Sequence, residues 1–254
     1  MFYLKIVSWN VNGIRAIYRK DFVDWVKNEN ADILCVQETK ADELQFPKDL
    51  KKIKGYYFCC SCAQKKGYSG VAVWSKIKPE LVSTSIKNDI FDNEGRILCL
   101  YFKDFIMFNV YFPNGGSSLE RFEYKIKFYD CFIRYLEQFK NKAVVICGDY
   151  NTAHFPIDLA RPKENEKISG FMPAEREKLD DLVSAGFVDA FRWFNKESGN
   201  YTWWDYKTSA RSRNMGWRID YFFITQQLIK YLKSADIKKS VLGSDHCPIS
   251  IDIF

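Results

Sequence analysis

Apolar positions along the chain fall into two recurring patterns: short, nearly continuous apolar runs, and longer stretches in which apolar residues return every third or fourth position. The first pattern marks strands covered on both faces, the second helices with one buried side. Tyr3 to Ser8 is the first predicted strand and empties into Trp9-Asn10-Val11-Asn12-Gly13. A helix is expected next, with Ile14, Ile17, Phe22 or Val23, and Val26 on one face. Asp32 to Val36 reads as a buried strand ending at Gln37-Glu38-Thr39, and further strands are expected at Tyr56 to Cys60, Gly70 to Ser75, Ile97 to Phe102 and Phe105 to Val110. The longest helix is expected over Ser118 to Phe139, with Ser118 as cap and Phe122, Ile126, Tyr129, Phe132, Ile133 and Leu136 as its buried stripe. Ala143 to Cys147 is a second buried strand, and it delivers Gly148-Asp149-Tyr150-Asn151.

Beyond that point the pattern loosens. Glu164 to Gly170 reads as a surface loop, and Pro-Ala-Glu-Arg-Glu from Pro173 opens a helix reaching about Ala185. Arg218 to Ile224 and Pro248 to Ile253 are the closing strands. With no low-complexity tract and no Pro/Ser-rich linker, residues 1–254 are expected to form one domain. Strands alternating with a few helices, some at hairpin distance, argue for mixed sheets covered by helices.

Composition adds two constraints. The net charge of +6 is unevenly placed: Trp204 to Ser240 holds eight Lys/Arg against three Asp, a net of +5, which suits a polyanionic partner. Four of the eight cysteines lie in apolar strand-like runs (Cys35, Cys99, Cys147) and one helical run (Cys131), as reduced core residues do, and Cys59, Cys60 and Cys62 lack the paired spacing of a zinc site. No apolar run approaches the ~20 residues that span a bilayer, and no signal peptide precedes the first strand. A soluble, cytoplasmic protein is expected, with no membrane partner.

The chemistry gathers at strand ends. Asn10, Glu38, Asp149 with Asn151, and Asp245 with His246 each stand where an apolar run stops, and Asp220 sits inside the aromatic run Arg218 to Phe222. One such residue is usually a turn or cap; five together suggest a shared pocket beyond the strand ends. The oxygen-rich set Asn10, Glu38, Asp149, Asn151 and Asp245 suits Mg²⁺, with Mn²⁺ as a substitute, and a hard ion beside an acid–histidine pair equips a site for phosphodiester hydrolysis. A serine-hydrolase reading of Ser244-Asp245-His246 fails because consecutive residues of an extended chain point to alternating faces. The other histidine, His154, reads as a hydrogen-bonded structural residue.

Six motifs in order carry a family resemblance: Trp9-Asn10-Val11-Asn12-Gly13-Ile14-Arg15, Gln37-Glu38-Thr39-Lys40, Tyr111-Phe112-Pro113-Asn114, Gly148-Asp149-Tyr150-Asn151, Gly216-Trp217-Arg218-Ile219-Asp220-Tyr221 and Gly243-Ser244-Asp245-His246-Cys247-Pro248. The chain resembles the exonuclease III-type AP endonucleases of the DNase I-like superfamily, essentially from end to end. The resemblance implies a four-layered α/β sandwich, two mixed sheets face to face with helices outside. It implies that Glu38 is the principal metal ligand with Asn10 and Asp245 near the ion. Asp149 would orient or deprotonate the attacking water, Asn151 would help hold it, and Asn114 would add a hydrogen bond. His246, paired with Asp220, would meet a phosphate oxygen, and Tyr111 would contact the phosphate or assist the leaving group. An imidazolium is favoured both by a carboxylate partner and by a phosphate, which makes His246 a charged clamp and Asp149 the better water activator.

Trp203, Trp204 and Trp217, interleaved with Arg211, Arg213 and Arg218, suit stacking and phosphate contact. In the family, residues matching Trp203, Trp217 and Ile219 line an apolar pocket for an extruded abasic sugar. The implied protein is a monomeric nuclease that cuts double-stranded DNA 5′ to abasic sites, leaving a 3′-hydroxyl, and trims 3′ ends. Asn12, Ser117, Trp203 and Lys207 depart from some relatives, at a possible ligand, at duplex-wedging positions and in the pocket. Two other readings remain: a same-fold phosphodiesterase with another substrate (general DNase, RNA deadenylase, inositol phosphate or sphingolipid phosphoesterase), and a non-catalytic DNA-binding module. The second would be expected to lack some of Glu38, Asp149, Asp220 and His246, and all four are present.

Overall fold

The computed structural model describes residues 3–253. Among these residues twelve strands form two six-stranded sheets. The first holds β1 (Leu4–Asn10), β2 (Ile33–Gln37), β3 (Tyr57–Ser61), β4 (Val71–Ser75), β11 (Leu232–Ile237) and β12 (Ile249–Ile253) in the order β11-β12-β1-β2-β4-β3. The second holds β5 (Leu81–Ser83), β6 (Ile97–Tyr101), β7 (Ile106–Tyr111), β8 (Val144–Asp149), β9 (Phe187–Asp189) and β10 (Asp220–Thr225) in the order β5-β6-β7-β8-β10-β9. Each sheet carries one parallel pair near its centre, β1 with β2 and β7 with β8, and antiparallel pairs elsewhere. This is the mixed two-sheet sandwich expected.

The continuous apolar runs follow from this layering, since each sheet is covered twice. Ile6, Ile33, Cys35 and Val73 of the first sheet meet Leu98, Met107, Val145 and Phe222 of the second in the central core. On the outer faces, Val7, Trp9, Leu34 and Trp74 pack against Ile14, Ile17, Phe22 and Val26, while Phe108 and Ile146 pack against Phe128, Phe132 and Leu179. Each fully buried side chain of this size contributes ~1.5–3 kcal/mol relative to exposure. Among the described residues no helix is long and apolar enough to cross a membrane.

Three expectations are corrected. The helix after β1 is two helices, Ile14–Tyr18 and Phe22–Glu29, parted at Asp21, whose left-handed φ of 57° breaks the ladder while leaving one apolar face, with Phe22 rather than Val23 buried. The long helix runs Leu119–Leu136, and a 3₁₀ turn completes it through Phe139. Its buried residues are Lys125, Phe128, Tyr129, Phe132 and Leu136, with Phe122, Ile126 and Ile133 only half-buried, because helix Pro173–Ser184 packs beside it and supplies a partner for Lys125. Strands β5, β9 and β11 were not expected: all three are edge strands, β5 and β11 half-exposed and weakly patterned and β9 only three residues long.

Candidate active site

β1, β2, β7, β8 and β10 deliver their polar ends to one rim of the sandwich. In β8 the carboxylate of Asp149 is placed by parallel pairing with Tyr111 of β7 and antiparallel pairing with Asp220 of β10. Gly148 at φ 142° makes this approach possible, since a Cβ there would collide with the Val110 carbonyl. Asn12, Glu38, Lys40 and Asn151 all adopt left-handed backbone at φ 49–53°. Such strain in non-glycine residues persists only where the surroundings over-determine it. Here Gly13 N donates to Glu38 O (2.7 Å), Lys40 N to Ser69 O (2.8 Å), Phe112 N to Asp149 O (2.8 Å) and Ala153 N to Gly170 O (2.7 Å).

The rim encloses a pocket of about 390 Å³. At its floor Asn10 bridges two acids, its Nδ2 donating to Glu38 Oε1 (3.0 Å) and Asp149 Oδ2 (2.8 Å), while its oxygen accepts from Asn12 N (3.0 Å). Asn151 N donates to Asp149 Oδ1 (2.8 Å), and the Asn151 amide donates to Phe112 O (2.9 Å) and accepts from Asn114 Nδ2 (3.0 Å). His246 Nδ1 lies 2.8 Å from Asp220 Oδ2, and its Nε2 lies 3.9 Å from Asp149 Oδ2. One wall is apolar: Trp203 and Trp217 meet edge to face at 6.5 Å beside Ile219.

Electrostatics assign the protonation states. Burial alone would lower the His246 pKa, but the charges of Asp220, Asp149 and Asp245 and the Asp220 hydrogen bond raise it to about 10, so the ring is an imidazolium at neutral pH. Burial, then the like charges of Asp220 and Glu38, push Asp149 up to about 7 against the pull of His246. Burial also opposes the Glu38 charge, yet Lys40 at 2.6 Å and the Asn10 amide hold its pKa below the ordinary range. Tyr111, raised well above its usual value by burial and by Glu38, is a neutral phenol with Arg96 over its ring at 4.9 Å.

Glu38, Asp149 and His246 offer ligand atoms within 4.8 Å of one another, a grouping that could hold a metal ion. The imidazolium has no lone pair for an ion, which leaves the two carboxylates as the natural holders. Glu38, Asp149 and Asp245 line the pocket with Asp220 behind His246, and burial together with the like charges of Asp220 and Glu38 raises the Asp149 pKa. A divalent cation would relieve that repulsion.

The structure brings most of the expected site residues to this pocket, with corrections. Asn10 turns its nitrogen, not its oxygen, toward the acids, so it stands as a clamp on the ligands. Asp245 lines the pocket, but Asn12 Nδ2 (3.0 Å) and Ser244 Oγ (3.2 Å) occupy one oxygen and Trp203 Nε1 (3.1 Å) the other. Asn151 likewise turns Nδ2 toward Asp149 at 3.3 Å. Trp204 is buried in the central core, away from the pocket, and Arg218, 1% exposed, is spent on Asp158 (2.8 Å) and Asp189 (2.7 Å) instead of a polyanion. His154 bonds Asp180 at 2.9 Å, outside the pocket. Two features escaped sequence reasoning: Lys40, although it stands two residues after Glu38, and the segment Ile168–Gly170, which read as plain surface loop yet forms a pocket wall.

Against known proteins, the chain is 44% identical to an exodeoxyribonuclease of Bacillus subtilis (strain 168) over 253 residues, 98% of this chain and 99% of that one. It is 41% identical to a DNA-(apurinic or apyrimidinic site) endonuclease of Dictyostelium discoideum over 253 residues, 98% of this chain and 70% of the relative. Among solved structures, an AP endonuclease from Archaeoglobus fulgidus superposes with a TM-score of 0.90 at 31% identity, covering 98% of this chain and 99% of its own. The class is an enzyme: a two-sheet α/β sandwich with a carboxylate–imidazolium site at its rim. The chain belongs to the endonuclease/exonuclease/phosphatase family, which it matches over residues 7–246.

Proposed function

We propose that this chain is a DNA repair nuclease that hydrolyses the phosphodiester 5′ to an abasic site in double-stranded DNA, leaving a 3′-hydroxyl, and that also trims 3′ ends. The observation that carries the reading is the junction within one pocket of the Asp149–His246–Glu38 cluster with the apolar wall of Trp203, Trp217 and Ile219. The cluster suits a phosphodiester; the wall suits a sugar without its base, which has lost its stacking and is cheap to extrude. Both sheets contribute to this one pocket, which supports a single catalytic domain over residues 1–254, and the working unit in this reading is the monomer.

Glu38 and Asp149 would hold Mg²⁺, or Mn²⁺ in its place. When bound, that ion supplies positive charge to the phosphate and the departing oxygen. His246 as imidazolium binds a nonbridging phosphate oxygen, and Asp220 keeps it charged and oriented. Asp149, fixed by Asn10 and Asn151, accepts a proton from the water that attacks phosphorus. As the phosphorus–O3′ bond breaks, the Tyr111 phenol hydrogen-bonds the departing oxygen, and Asn114 steadies Asn151 from the open side. Glu38 faces Asp149 across Asn10, and Asp245 anchors Trp203.

The test uses three duplexes, with an abasic analogue, an intact base and a recessed 3′ end, each with Mg²⁺ or with chelator. Fast cutting only at the abasic site, slower removal of 3′ nucleotides, and no activity in chelator are expected. Equal rates on intact and abasic duplex would overturn the repair assignment, and activity in chelator would overturn the metal dependence.

A further inference from the structure

Away from the active site, the edge strand β3 carries Cys59 and Cys60, with Cys62 one residue past its end. Cys60 and Cys62 lean together on the side of the outer core, their Sγ atoms 3.8 Å apart and both half-buried, while Cys59 packs toward the central core. The geometry points to Cys60 and Cys62 as a thiol–disulfide exchange site, a modification site for low-molecular-weight disulfides such as glutathione disulfide, with Cys62 as attacking thiol and Cys60 as resolving thiol.

Reach separates this pair from the buried cysteines, and the close approach of the two sulfurs separates it from Cys59 and Cys131, which are half-buried as well. Cys35, Cys99, Cys147 and Cys247 are fully buried, and Cys131 is half-buried with its sulfur accepting from Asn88 Nδ2 at 3.3 Å. β3 pairs only with β4 among the described strands, so its outer side is unpaired, and Cys62 stands one residue past its end. Closing the gap from 3.8 Å to a bond of about 2.0 Å starts from a rotation about χ1.

The electronic asymmetry agrees with the order of attack. The contact between the two sulfurs lowers the Cys62 pKa, while the same contact, with burial, raises that of Cys60. A thiolate is the nucleophile in exchange. In the first step the Cys62 thiolate bonds to one sulfur of the small disulfide, whose S–S bond breaks and releases one thiolate carrying the electron pair. In the second, Cys60 loses its proton to solvent and attacks Cys62 Sγ, forming the Cys60–Cys62 bond and releasing the second thiolate. The protein loses two electrons and two protons, and the small disulfide is reduced to two thiols.

The full chain is incubated with glutathione disulfide, remaining thiols are capped with N-ethylmaleimide, and peptides are mapped by mass spectrometry. The expected product is a Cys60–Cys62 bridge that dithiothreitol reverses, formed about tenfold or more faster than any adduct at Cys131. In Cys60→Ser the expected product is a stable mixed disulfide on Cys62. The inference is overturned if Cys60 and Cys62 are recovered alkylated while Cys59 or Cys131 carries the adduct, or if no cysteine reacts. It is equally overturned if Cys60→Ser leaves Cys62 without an adduct. The wild-type mapping needs no variant to fold.

Discussion

His246 Nδ1 and Asp220 Oδ2 are 2.8 Å apart, and both side chains are almost wholly shielded from water. Asp220 Oδ1 has no hydrogen-bond partner among the described residues, so the ring is the one side-chain partner this carboxylate has there, and its charge and hydrogen bond raise the His246 pKa. The chain has only two histidines, which makes the consequence directly visible. In metal-free protein, ¹⁵N NMR should show His246 doubly protonated up to about pH 9–10, while His154, lowered by burial, is neutral at pH 7. The His246 pKa is above its unfolded value, so its contribution to stability is complete below about pH 6.5 and is lost as pH rises through about 10. A neutral His246 ring at pH 7.5 would contradict the clamp role. Asp220→Asn should move the ring pKa down.

Asp149 should make the free protein respond to metal in a pH-dependent way. Its folded pKa of about 7 lies above the ordinary Asp value of 3.8, so the folded state binds the proton more tightly. Stability from this group is therefore present at acid pH and declines as pH rises toward and through 7. Mg²⁺ should raise Tm more at pH 8 than at pH 5.5, because ionised Asp149 is both the strained group and the ligand. The Asp149→Asn variant should show little of that rise, and its single-turnover cleavage of abasic duplex should fall by ~10²–10⁴. Thermal melts with and without Mg²⁺ at the two pH values decide the first point, rapid-quench assays the second.

What the sequence made legible, and what it hid, follows from how each residue is held. β1, β2, β7 and β8 are buried on both faces, so their apolar runs are continuous and Asn10, Glu38 and Asp149 stand out where the runs end. The pairing of Asp220 with His246, 26 positions apart, was expected from the family resemblance alone, because the contact joins β10 of the second sheet to the segment that leads into β12 of the first. Edge strands such as β11 have one side in water and little to impose a pattern. Side-chain direction was beyond reach altogether: nothing in the chain tells that Asn10 turns its nitrogen to the acids, or that Arg218 faces inward to Asp158.

Trp217 should set selectivity more than chemistry. Its ring meets Trp203 edge to face, and Gly170 is so close that a Cβ there would stand 3.1 Å from the indole. Trp217→Ala should open the wall. Cleavage at the abasic site is expected to slow, the preference for abasic over intact duplex to drop about tenfold, and stability to fall by only ~0.5–3 kcal/mol, because the indole is half-buried and faces the open pocket. Parallel kcat/KM measurements on the two duplexes decide; an unchanged ratio would remove Trp217 from the selectivity wall.

Lys125 and Glu175 form a salt bridge with both side chains fully buried, an arrangement that burial of two apolar residues usually matches in stability. Its neighbours suggest what it holds. Lys125 Nζ donates to Asn151 O at 2.6 Å, directly beneath the strained turn that carries Asp149 and Asn151. Glu175 accepts from Ser169 Oγ (2.9 Å), Gly170 N (2.6 Å) and Met172 N (3.1 Å), the wall segment on the other side. Lys125→Met leaves the Glu175 charge buried without its partner and should cost ~3–5 kcal/mol. Lys125→Met with Glu175→Gln removes both charges while the amide oxygen still accepts from the 170–172 backbone, and should recover most of that loss. If the pair aligns the two sides of the pocket, the double variant will melt near wild type yet show a kcat about tenfold lower, since small displacements of a reacting group are costly. Melting curves and single-turnover rates on the two variants separate the roles: a double variant with wild-type Tm and wild-type kcat would show that the pair serves neither.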